Sequence, residues 1–381
     1  MTSALIPRRE YAALEECVYL NQASLGLIPR PSAQAMAEFL VDVAQYGNGR
    51  LTDVAEERIL DHLRQAAAGL LDAPVRSIAV VGGAGEALGQ LALLTATTGG
   101  EVVLVASDFP SVTYPWLCAR ERLGTVVRWV EDDPGRDLTA ALVEAVDSRT
   151  TVVCFGAVQY ATGSLVDVGE VVRRAHAVGA QVIVDVTQMA GARPVSLRSW
   201  SADALVCSGY KWLSSHGGVA LLAVSDELQQ CLPAIVGWKG TEHPFQFDPT
   251  TLPLASGARR FELSTIAYSS AAGLTASIEL LAGVGISALV DHAGELAREL
   301  VAATAPHGWT PYRDLDTPGA SWHIVSLRHP TLSASAIQAR LAEDHGIVVS
   351  SRGGGIRVSL HAYNDSSDVG ALAGAMDEAS P

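Results

Sequence analysis

The segment Ser208-Gly209-Tyr210-Lys211-Trp212 contains one of only two lysines among the 26 lysine and arginine residues of the chain. A guanidinium group stays protonated, whereas the amine of a lysine can lose its proton and attack a carbonyl carbon. In a chain that otherwise uses arginine, Lys211 is therefore a candidate for amine chemistry. An arginine-rich composition also produces this count by chance, so the hypothesis depends on the residues around the lysine.

This segment lies in a long pattern of short apolar runs that alternate with amphipathic stretches. Strands are predicted at 78–81, 101–106, 126–130, 150–155, 182–184, 204–207 and 218–224. Helices are predicted at 32–46, 54–71, 86–95, 111–123, 167–178, 266–282 and 286–305. Buried apolar strands that alternate with helices favour an α/β fold with a mainly parallel sheet and helices on both faces.

The length of 381 residues and the hydrophobic content of 49% suit more than one core, and we predict two domains. The large domain is predicted over 16–260. Residues 1–15 and 261–381 would supply an N-terminal segment, connecting helices and a smaller C-terminal α/β domain. Residues 226–265 are irregular and rich in Gly and Pro, as expected of a long functional loop or connector.

Composition excludes several classes of protein. The formal net charge of −15 argues against nucleic acid as a partner. No run of about 18 apolar residues occurs, so no membrane span is predicted. The five cysteines are scattered without a CxxC pair, which disfavours both a disulfide framework and a zinc site. We expect a cytoplasmic protein without a metal, and we expect His216, His323 and His361 to be structural or exposed.

Polar residues follow several of the predicted strands: 82–85, Ser107-Asp108, Gln159, Asp185 and Ser208. In sheets of this type, ligands bind beyond the carboxyl ends of the strands. These residues are therefore expected to converge on one site.

The residues of this edge match the requirements of pyridoxal phosphate (PLP). Lys211 would form a Schiff base with its aldehyde, and Asp185 would keep the pyridine nitrogen protonated. The turn 82–86 lies between a strand and a helix, where backbone N–H groups can bind a phosphate. Phe109, or alternatively Tyr114, could stack on the ring. Taken singly, each of these residues is also common in an ordinary turn, core or surface.

Together and in this order, the residues resemble fold-type I PLP enzymes, specifically the class V aminotransferase family, which includes cysteine desulfurases, isopenicillin N epimerase and kynureninase. The segments that carry the resemblance are Asn21-Gln22-Ala23-Ser24-Leu25-Gly26, Val184-Asp185-Val186-Thr187-Gln188, Ser208-Gly209-Tyr210-Lys211, Arg260-Phe261-Glu262-Leu263-Ser264-Thr265 and Ile356-Arg357-Val358-Ser359.

The resemblance implies a role for each matching residue. Lys211 is the Schiff-base residue and general acid/base, Asp185 pairs with the pyridine nitrogen, and Arg357 binds a substrate carboxylate. The protein is implied to be a homodimer with shared active sites. The implied cofactor-binding set is Ala84, Gly85, Phe109, Gln159, Asp185, Gln188, Ser208, Tyr210, Lys211 and, from the neighbouring subunit, Thr265.

The chain departs from the family pattern in places that bear on the reaction. It has Ala84-Gly85 where the family often has Thr-Thr, so backbone N–H groups must supply more of the hydrogen bonds to the cofactor phosphate. The stretch 347–355, where desulfurases carry their sulfur-accepting cysteine, has none. The loop 237–248 either covers the substrate or is a solvent loop. We place Trp238 from this loop, and Tyr114, in the substrate pocket. Lys239, from the same loop, is a much weaker candidate than Lys211 for the Schiff-base residue.

The resemblance predicts an enzyme that acts on an α-amino acid through an external aldimine and a quinonoid. Aminotransferase and C–S lyase (β-elimination) chemistry are favoured about equally. Epimerisation and decarboxylation remain open on the same scaffold. Two other classes are less favoured: a non-catalytic PLP-fold binding protein, because Lys211 and Asp185 are both present, and an NAD(P)-dependent dehydrogenase, because the turn at 82–85 lacks the GxGxxG spacing.

Overall fold

The computed structural model describes residues 1–378. Within them the helices are α1 (Arg30–Tyr46), α2 (Asp53–Leu70), α3 (Ala84–Thr95), α4 (Pro110–Leu123), α5 (Leu138–Ala145), α6 (Val168–His176), α7 (Leu197–Trp200), α8 (Tyr268–Val284), α9 (Ile286–Thr304), α10 (Ala334–His345) and α11 (Ser366–Glu378).

The strands of the same region are β1 (Val18–Tyr19), β2 (Ile78–Val81), β3 (Glu101–Val105), β4 (Val126–Val130), β5 (Thr150–Gly156), β6 (Gln181–Asp185), β7 (Ala204–Ser208), β8 (Ala220–Val224), β9 (Thr310–Pro311), β10 (Ile324–Arg328), β11 (Ile347–Val348), β12 (Ser350–Arg352) and β13 (Gly355–Ser359).

Seven strands form the central sheet, in the order β2-β8-β7-β6-β5-β3-β4. The strands from β7 to β4 run parallel to one another, and β8 is antiparallel to both of its neighbours. Alternate residues of each strand point to opposite faces, so two cores form. One core packs the sheet against α3 and α4, and the other packs it against α2, α5, α6 and α8. The predicted α/β fold with a mainly parallel sheet is confirmed.

A second, antiparallel sheet has the order β12-β13-β10-β9. Its core is shared with α9, α10 and α11, and β1 pairs in parallel with β11 beside it. Residues 321–378 contain β10, α10, β11, β12, β13 and α11 in this order, so this part of the chain has the mixed α/β character that was predicted. The domain boundaries at 15/16 and 260/261 stay a prediction.

Most predicted elements occur within a few residues of their predicted positions, but the short helices α5 and α7 were not predicted. Six of the eight residues of α5 are alanine, leucine or valine, so the polar face that marks an amphipathic helix is reduced to a threonine and a glutamate. Helix α7 has only four residues, too few for a helical period to be read. The irregular character predicted for 226–265 agrees with the structure, which places only short 3-10 turns and one isolated bridge there.

The parallel strands end along one edge of the central sheet. Asp185 ends β6, Ser208 ends the neighbouring β7, and Ser107-Asp108 follows β3 two strands away. Within residues 1–378, no single helix has the length and apolar character to span a membrane. The bent pair α8 and α9 meets that test jointly by length and composition.

Candidate active site

A cavity of about 240 Å³ lies at this edge of the sheet. Eight of the predicted cofactor-binding residues line it: Ala84, Gly85, Phe109, Asp185, Gln188, Ser208, Tyr210 and Lys211. These residues come from four separate stretches of the chain, which meet because parallel strands end at a common edge. Of the strand-end residues expected to converge, 82–85, Asp108, Asp185 and Ser208 line the cavity, whereas Ser107 and Gln159 do not.

The amine of Lys211 is held in surroundings that favour its neutral form. The residue is only 7% exposed, and its Nζ lies 5.0 Å from the centroid of the Phe109 ring. Burial lowers the pKa of Lys211 to about 8, with smaller lowering by the positive charges of Arg357 and Arg352, while the charge of Asp185 opposes the fall. A lysine with this pKa is an available nucleophile near neutral pH.

Lys211 is fixed in place by the N-terminal segment. The side-chain amide of Gln22 donates to the carbonyl oxygen of Lys211 at 2.9 Å, and the backbone N–H of Gly26 donates to the carbonyl oxygen of Tyr210. A Cβ at Gly26 would collide with the Lys211 carbonyl oxygen. The segment 21–26, predicted from the resemblance, thus packs directly on the backbone that carries the lysine.

Asp185 is half-buried and lines the cavity. Its Oδ1 accepts a hydrogen bond from the backbone N–H of Thr187 at 2.8 Å. Burial raises the pKa of Asp185, and the hydrogen bonds from Thr187 and the charge of Lys211 only partly offset this. Because few interactions with the protein stabilise its charged form, the Asp185 carboxylate suits a cationic partner inside the cavity, such as a protonated pyridine nitrogen.

Another part of the cavity wall is formed by backbone and hydroxyl groups. Helix α3 begins at Ala84, and its N-cap residue Gly83 supplies no side-chain hydrogen bond. The first N–H groups of the helix are therefore available to an anion. The hydroxyl of Ser208 also lines this cavity and makes no hydrogen bond to any residue of 1–378.

Ser111, on the first turn of α4, was not predicted from the sequence. It lines the cavity, and its hydroxyl oxygen lies 3.5 Å from the position that a Cβ on Gly85 would occupy. The missing Thr-Thr of the family pattern is thus matched by a hydroxyl from the next helix. The contact depends on the packing of α3 against α4, so its only sequence signal was the position of Ser111 shortly after a strand end.

Asp108, one of the strand-end residues expected at this site, and Tyr160, which was not predicted, also line the cavity. Asp108 accepts hydrogen bonds from the backbone N–H groups of Gly156 (2.7 Å) and Phe109 (3.1 Å). Burial raises its pKa to about 7 despite these bonds. The ring of Tyr160 meets Phe109 edge-on, with 5.3 Å between centroids. Asp108 and Tyr160 thus hold the backbone and the ring of Phe109 in position.

Gln188 lines the cavity, but most of its amide is already engaged. Its Nε2 donates to the carbonyl oxygen of Ala23 at 3.0 Å, and its Oε1 accepts from the indole N–H of Trp212 at 2.7 Å. One amide hydrogen remains for a cofactor oxygen. His323 braces this arrangement, because its Nε2 contacts the carbonyl oxygen of Gln188 and its ring packs edge-on against Trp212.

Arg357 lies just behind the cavity wall. It is 1% exposed, and its guanidinium donates to the carbonyl oxygen of Tyr160 at 2.6 Å, to the hydroxyl of Ser24 and to the Oδ1 of Asn21. Its Nε has no hydrogen-bond partner in residues 1–378. Burial and the charge of Arg352 lower the pKa of Arg357 to about 10. A buried cation without a carboxylate partner fits the predicted role as a carboxylate anchor.

Besides Arg357, four predicted site residues do not line this cavity. The Gln159 side chain is directed to Ser107 and Gly156, and Tyr114 is 64% exposed on α4. Trp238 lines a separate pocket within its own loop. Thr265 lines a pocket that shares Gly82 and Gly218 with the cavity. The roles of these four residues stay predictions.

The second lysine is engaged in a different environment. Lys239 is 1% exposed, forms ion pairs with Glu56 (2.8 Å) and Glu57 (3.5 Å), and lies against the rings of Trp238 and Phe245. No group of His, Cys, Asp and Glu suited to a metal ion occurs within residues 1–378.

No cysteine lines the cavity. Cys154 and Cys207 are buried, and burial raises the pKa of both thiols. The chain therefore presents no reactive thiol at this site.

Comparison with known proteins agrees with the site. Residues 18–372 match the aminotransferase class-V family, and the chain belongs to this family. A probable cysteine desulfurase from Methanothermobacter thermautotrophicus is 30% identical, over 97% of this chain and 96% of its own length. An uncharacterized aminotransferase, YcbU, from Bacillus subtilis is 26% identical over 94% of this chain and 93% of its own. The solved structure of the cystine C–S lyase C-DES with its product cysteine persulfide superposes with a TM-score of 0.87, 20% identity and coverage of 97% and 99%.

The family assignment confirms the predicted cofactor, pyridoxal 5'-phosphate, and the prediction of a PLP-dependent enzyme of amino-acid chemistry. The cavity fits this cofactor. Lys211 would hold its aldehyde, Asp185 its ring nitrogen and Phe109 one face of its ring. The start of α3, with Ser111 and Ser208, would hold its phosphate.

Proposed function

We propose that the protein is a PLP-dependent C–S lyase, which removes the sulfur group of a sulfur-containing α-amino acid by β-elimination without passing the sulfur to a cysteine. The observation that carries this proposal is a cavity with one accessible amine, Lys211, and no thiol. A desulfurase needs an accepting cysteine, and the stretch 347–355 and the cavity wall both lack one. The names of the relatives, cysteine desulfurase and C–S lyase, support sulfur chemistry at the side chain.

Different residues of the cavity have different roles in this reaction. When bound, PLP supplies an electron sink for the pair released at the substrate Cα. Lys211 removes the Cα proton and can deliver it to the departing sulfur, since a pKa of about 8 suits both directions near neutral pH. Arg357 orients the α-carboxylate, and Phe109 and Tyr160 shape the wall beside the lysine.

Epimerisation receives less support from the geometry. It requires a second acid/base on the opposite side of Cα. Asp108 is the other group of the cavity with a pKa near neutrality, but both of its oxygens accept hydrogen bonds from the backbone at the ends of β3 and β5. It is therefore committed to structure rather than free to exchange protons with a substrate.

Aminotransferase activity is the second candidate, supported by the relative YcbU. The two reactions differ in their products, so a single assay separates them. The holoenzyme is incubated with cysteine, cystine, cysteine conjugates and sulfur-free amino acids, with and without an added keto acid. We expect pyruvate, ammonia and one sulfur product in equal amounts (sulfide from cysteine, cysteine persulfide from cystine, a thiol from a conjugate), none of them with Lys211→Ala. A keto acid that retains the sulfur-bearing side chain would instead establish an aminotransferase.

We further propose that the protein is a cytoplasmic homodimer. The loop region contains exposed apolar side chains that a second copy could cover: Leu232, Ile235, Phe247 and Leu252. In a dimer, Thr265 could reach the phosphate of the neighbouring active site, as the resemblance implies. All five cysteines are free, which suits a reducing compartment. Light scattering during size-exclusion chromatography would give twice the chain mass of 39.9 kDa, and the chain mass alone would contradict the dimer.

A further inference from the structure

Strands β12 and β13 form a hairpin beside the cavity, joined by Gly353 and Gly354. Both glycines have positive φ (54° and 80°), as a two-residue type I′ turn requires. Arg352 lies opposite Gly355, and Ser350 lies opposite Arg357. Directly paired residues point to the same face of an antiparallel pair, so Arg352 and Arg357 project from one face of the hairpin.

This face is directed at the active site. Arg357 donates to the backbone of Tyr160, which lines the cavity. At the tip, a Cβ on Gly353 would lie 3.6 Å from the Cβ of Ala161. Arg352 and Arg357 are diagonal neighbours, whose backbones lie about 7 to 8 Å apart in an antiparallel pair. Two cations therefore lie side by side on this face: Arg357 is buried behind the cavity wall, and Arg352 is exposed near the turn of the hairpin.

The positive charge of this face is not neutralised by the protein. Within residues 1–378, no carboxylate forms an ion pair with Arg328, Arg352 or Arg357, although the chain as a whole has a net charge of −15. Arg352 donates only to the adjacent carbonyl oxygen of Ser351. Two buried polar atoms of the face, Nε of Arg357 and Oγ of Ser326, have no hydrogen-bond partner. Ser326 pairs with Arg357 across β10 and β13.

Arg328 positions the hairpin. Its guanidinium donates to the carbonyl oxygen of Gly353 at 2.9 Å and stacks over the ring of Tyr312 at 4.2 Å. The turn is thus held by β10, and Arg352 is presented on a supported hairpin. The charges of Arg352 and Arg357 both lower the pKa of Lys211, which agrees with their nearness to the amine.

We propose that Arg352 forms a second anion subsite, so that the enzyme selects α-amino acids whose side chain carries a further acidic group. Arg357 binds the α-carboxylate, and Arg352 binds the distal carboxylate or an equivalent anion. This deepens the proposed function, because it names the substrate class of the same site. Two guanidinium groups on one braced face suit a ligand with two anions, since each can be bound by paired N–H donors.

The test measures binding without any chemical step. Succinate and butyrate have the same number of carbons but differ by one carboxylate, and each is titrated calorimetrically into the holoenzyme. We expect succinate to bind about tenfold or more tightly than butyrate, as one charged hydrogen-bonded contact typically provides. Arg352→Gln should remove this preference and leave butyrate binding unchanged, whereas Arg357→Gln should weaken both ligands.

Two further variants control for charge and folding. Arg122→Gln removes an exposed arginine at the end of α4 and should leave both affinities unchanged. Arg352→Lys keeps the charge and should retain part of the preference for succinate. Equal binding of succinate and butyrate by the unaltered protein, or an equal loss of both in Arg352→Gln, would overturn the proposal. A preference for succinate in a protein that transaminates would instead retain the subsite and reject the lyase.

Discussion

Asp185 and Lys211 face one cavity from the ends of neighbouring strands, and the charge of Asp185 opposes the effect of burial on the pKa of the Lys211 amine. Asp185 ends β6, and Lys211 follows the end of β7 by three residues. Burial lowers the pKa of Lys211 to about 8, and the carboxylate keeps it from falling further. The same pair would hold the cofactor at two points, its aldehyde at the lysine and its ring nitrogen at the aspartate.

The first prediction concerns the pH dependence of cofactor capture. Only the neutral amine attacks an aldehyde, so the rate at which apoprotein combines with PLP should rise with pH and level off above about 8. An ordinary lysine would give a rate that continues to rise to about pH 10.4. Stopped-flow absorbance of apoprotein mixed with PLP at a series of pH values gives the midpoint. A midpoint above 10 would show that the amine is not perturbed.

The second prediction concerns the carboxylate. Asp185→Asn keeps the shape of the side chain but removes its charge, so turnover should fall by about a hundredfold or more, as for other preorganised electrostatic partners. The midpoint of cofactor capture should also move to lower pH, because the negative charge that raises the pKa of Lys211 is gone. Thermal unfolding of the variant checks that the fold is retained. Normal turnover would remove Asp185 from its assigned role.

The third prediction concerns the hydroxyl of Ser111. Ser111→Ala should weaken PLP binding by about tenfold or more, since a hydrogen bond to a charged phosphate is lost. Equilibrium dialysis of the apoprotein against PLP measures the change. Cys118→Ala, on the same helix but exposed to solvent, serves as the control and should bind PLP normally. Equal affinities for Ser111→Ala and the unaltered protein would show that the start of α3 holds the phosphate without Ser111.

The fourth prediction concerns the contact between the N-terminal segment and the lysine. Gly26→Ala introduces a Cβ that collides with the carbonyl oxygen of Lys211. We expect a loss of roughly 1–3 kcal/mol in unfolding free energy, the usual cost of overpacking, together with weaker PLP binding. Gly69→Ala, on α2 with open space around the new methyl group, should be neutral or slightly stabilising. Denaturant unfolding of both variants would detect the difference, and equal stabilities would contradict the contact.

Much of this architecture could be predicted from the chain alone. The strand ends at Asp185 and Ser208 were readable because buried parallel strands are apolar along their length and stop abruptly at a polar residue. Lys211 and Asp185 were identified from residue type and order. What could not be predicted were contacts between elements that are distant or irregular. The approach of Ser111 to Gly85 depends on how α3 and α4 pack, and the support of Phe109 by Tyr160 depends on the path of the chain after β5.

The antiparallel strand β8 and the position of Trp238 show a second limit. An apolar run does not show whether its strand lies parallel or antiparallel to its neighbours. The sequence therefore could not reveal that β8 is antiparallel to β2 and β7. Trp238 was placed in the substrate pocket from its residue type alone. The structure places it in a pocket of its own loop, against Lys239.

The most direct test of the central claim is to locate the covalent bond between protein and cofactor. The holoenzyme is reduced with borohydride and digested, and the peptides are analysed by mass spectrometry. The account predicts one reduced cofactor adduct, on Lys211, with none on Lys239 and none in Lys211→Ala. An adduct on Lys239, or no adduct at all, would contradict it.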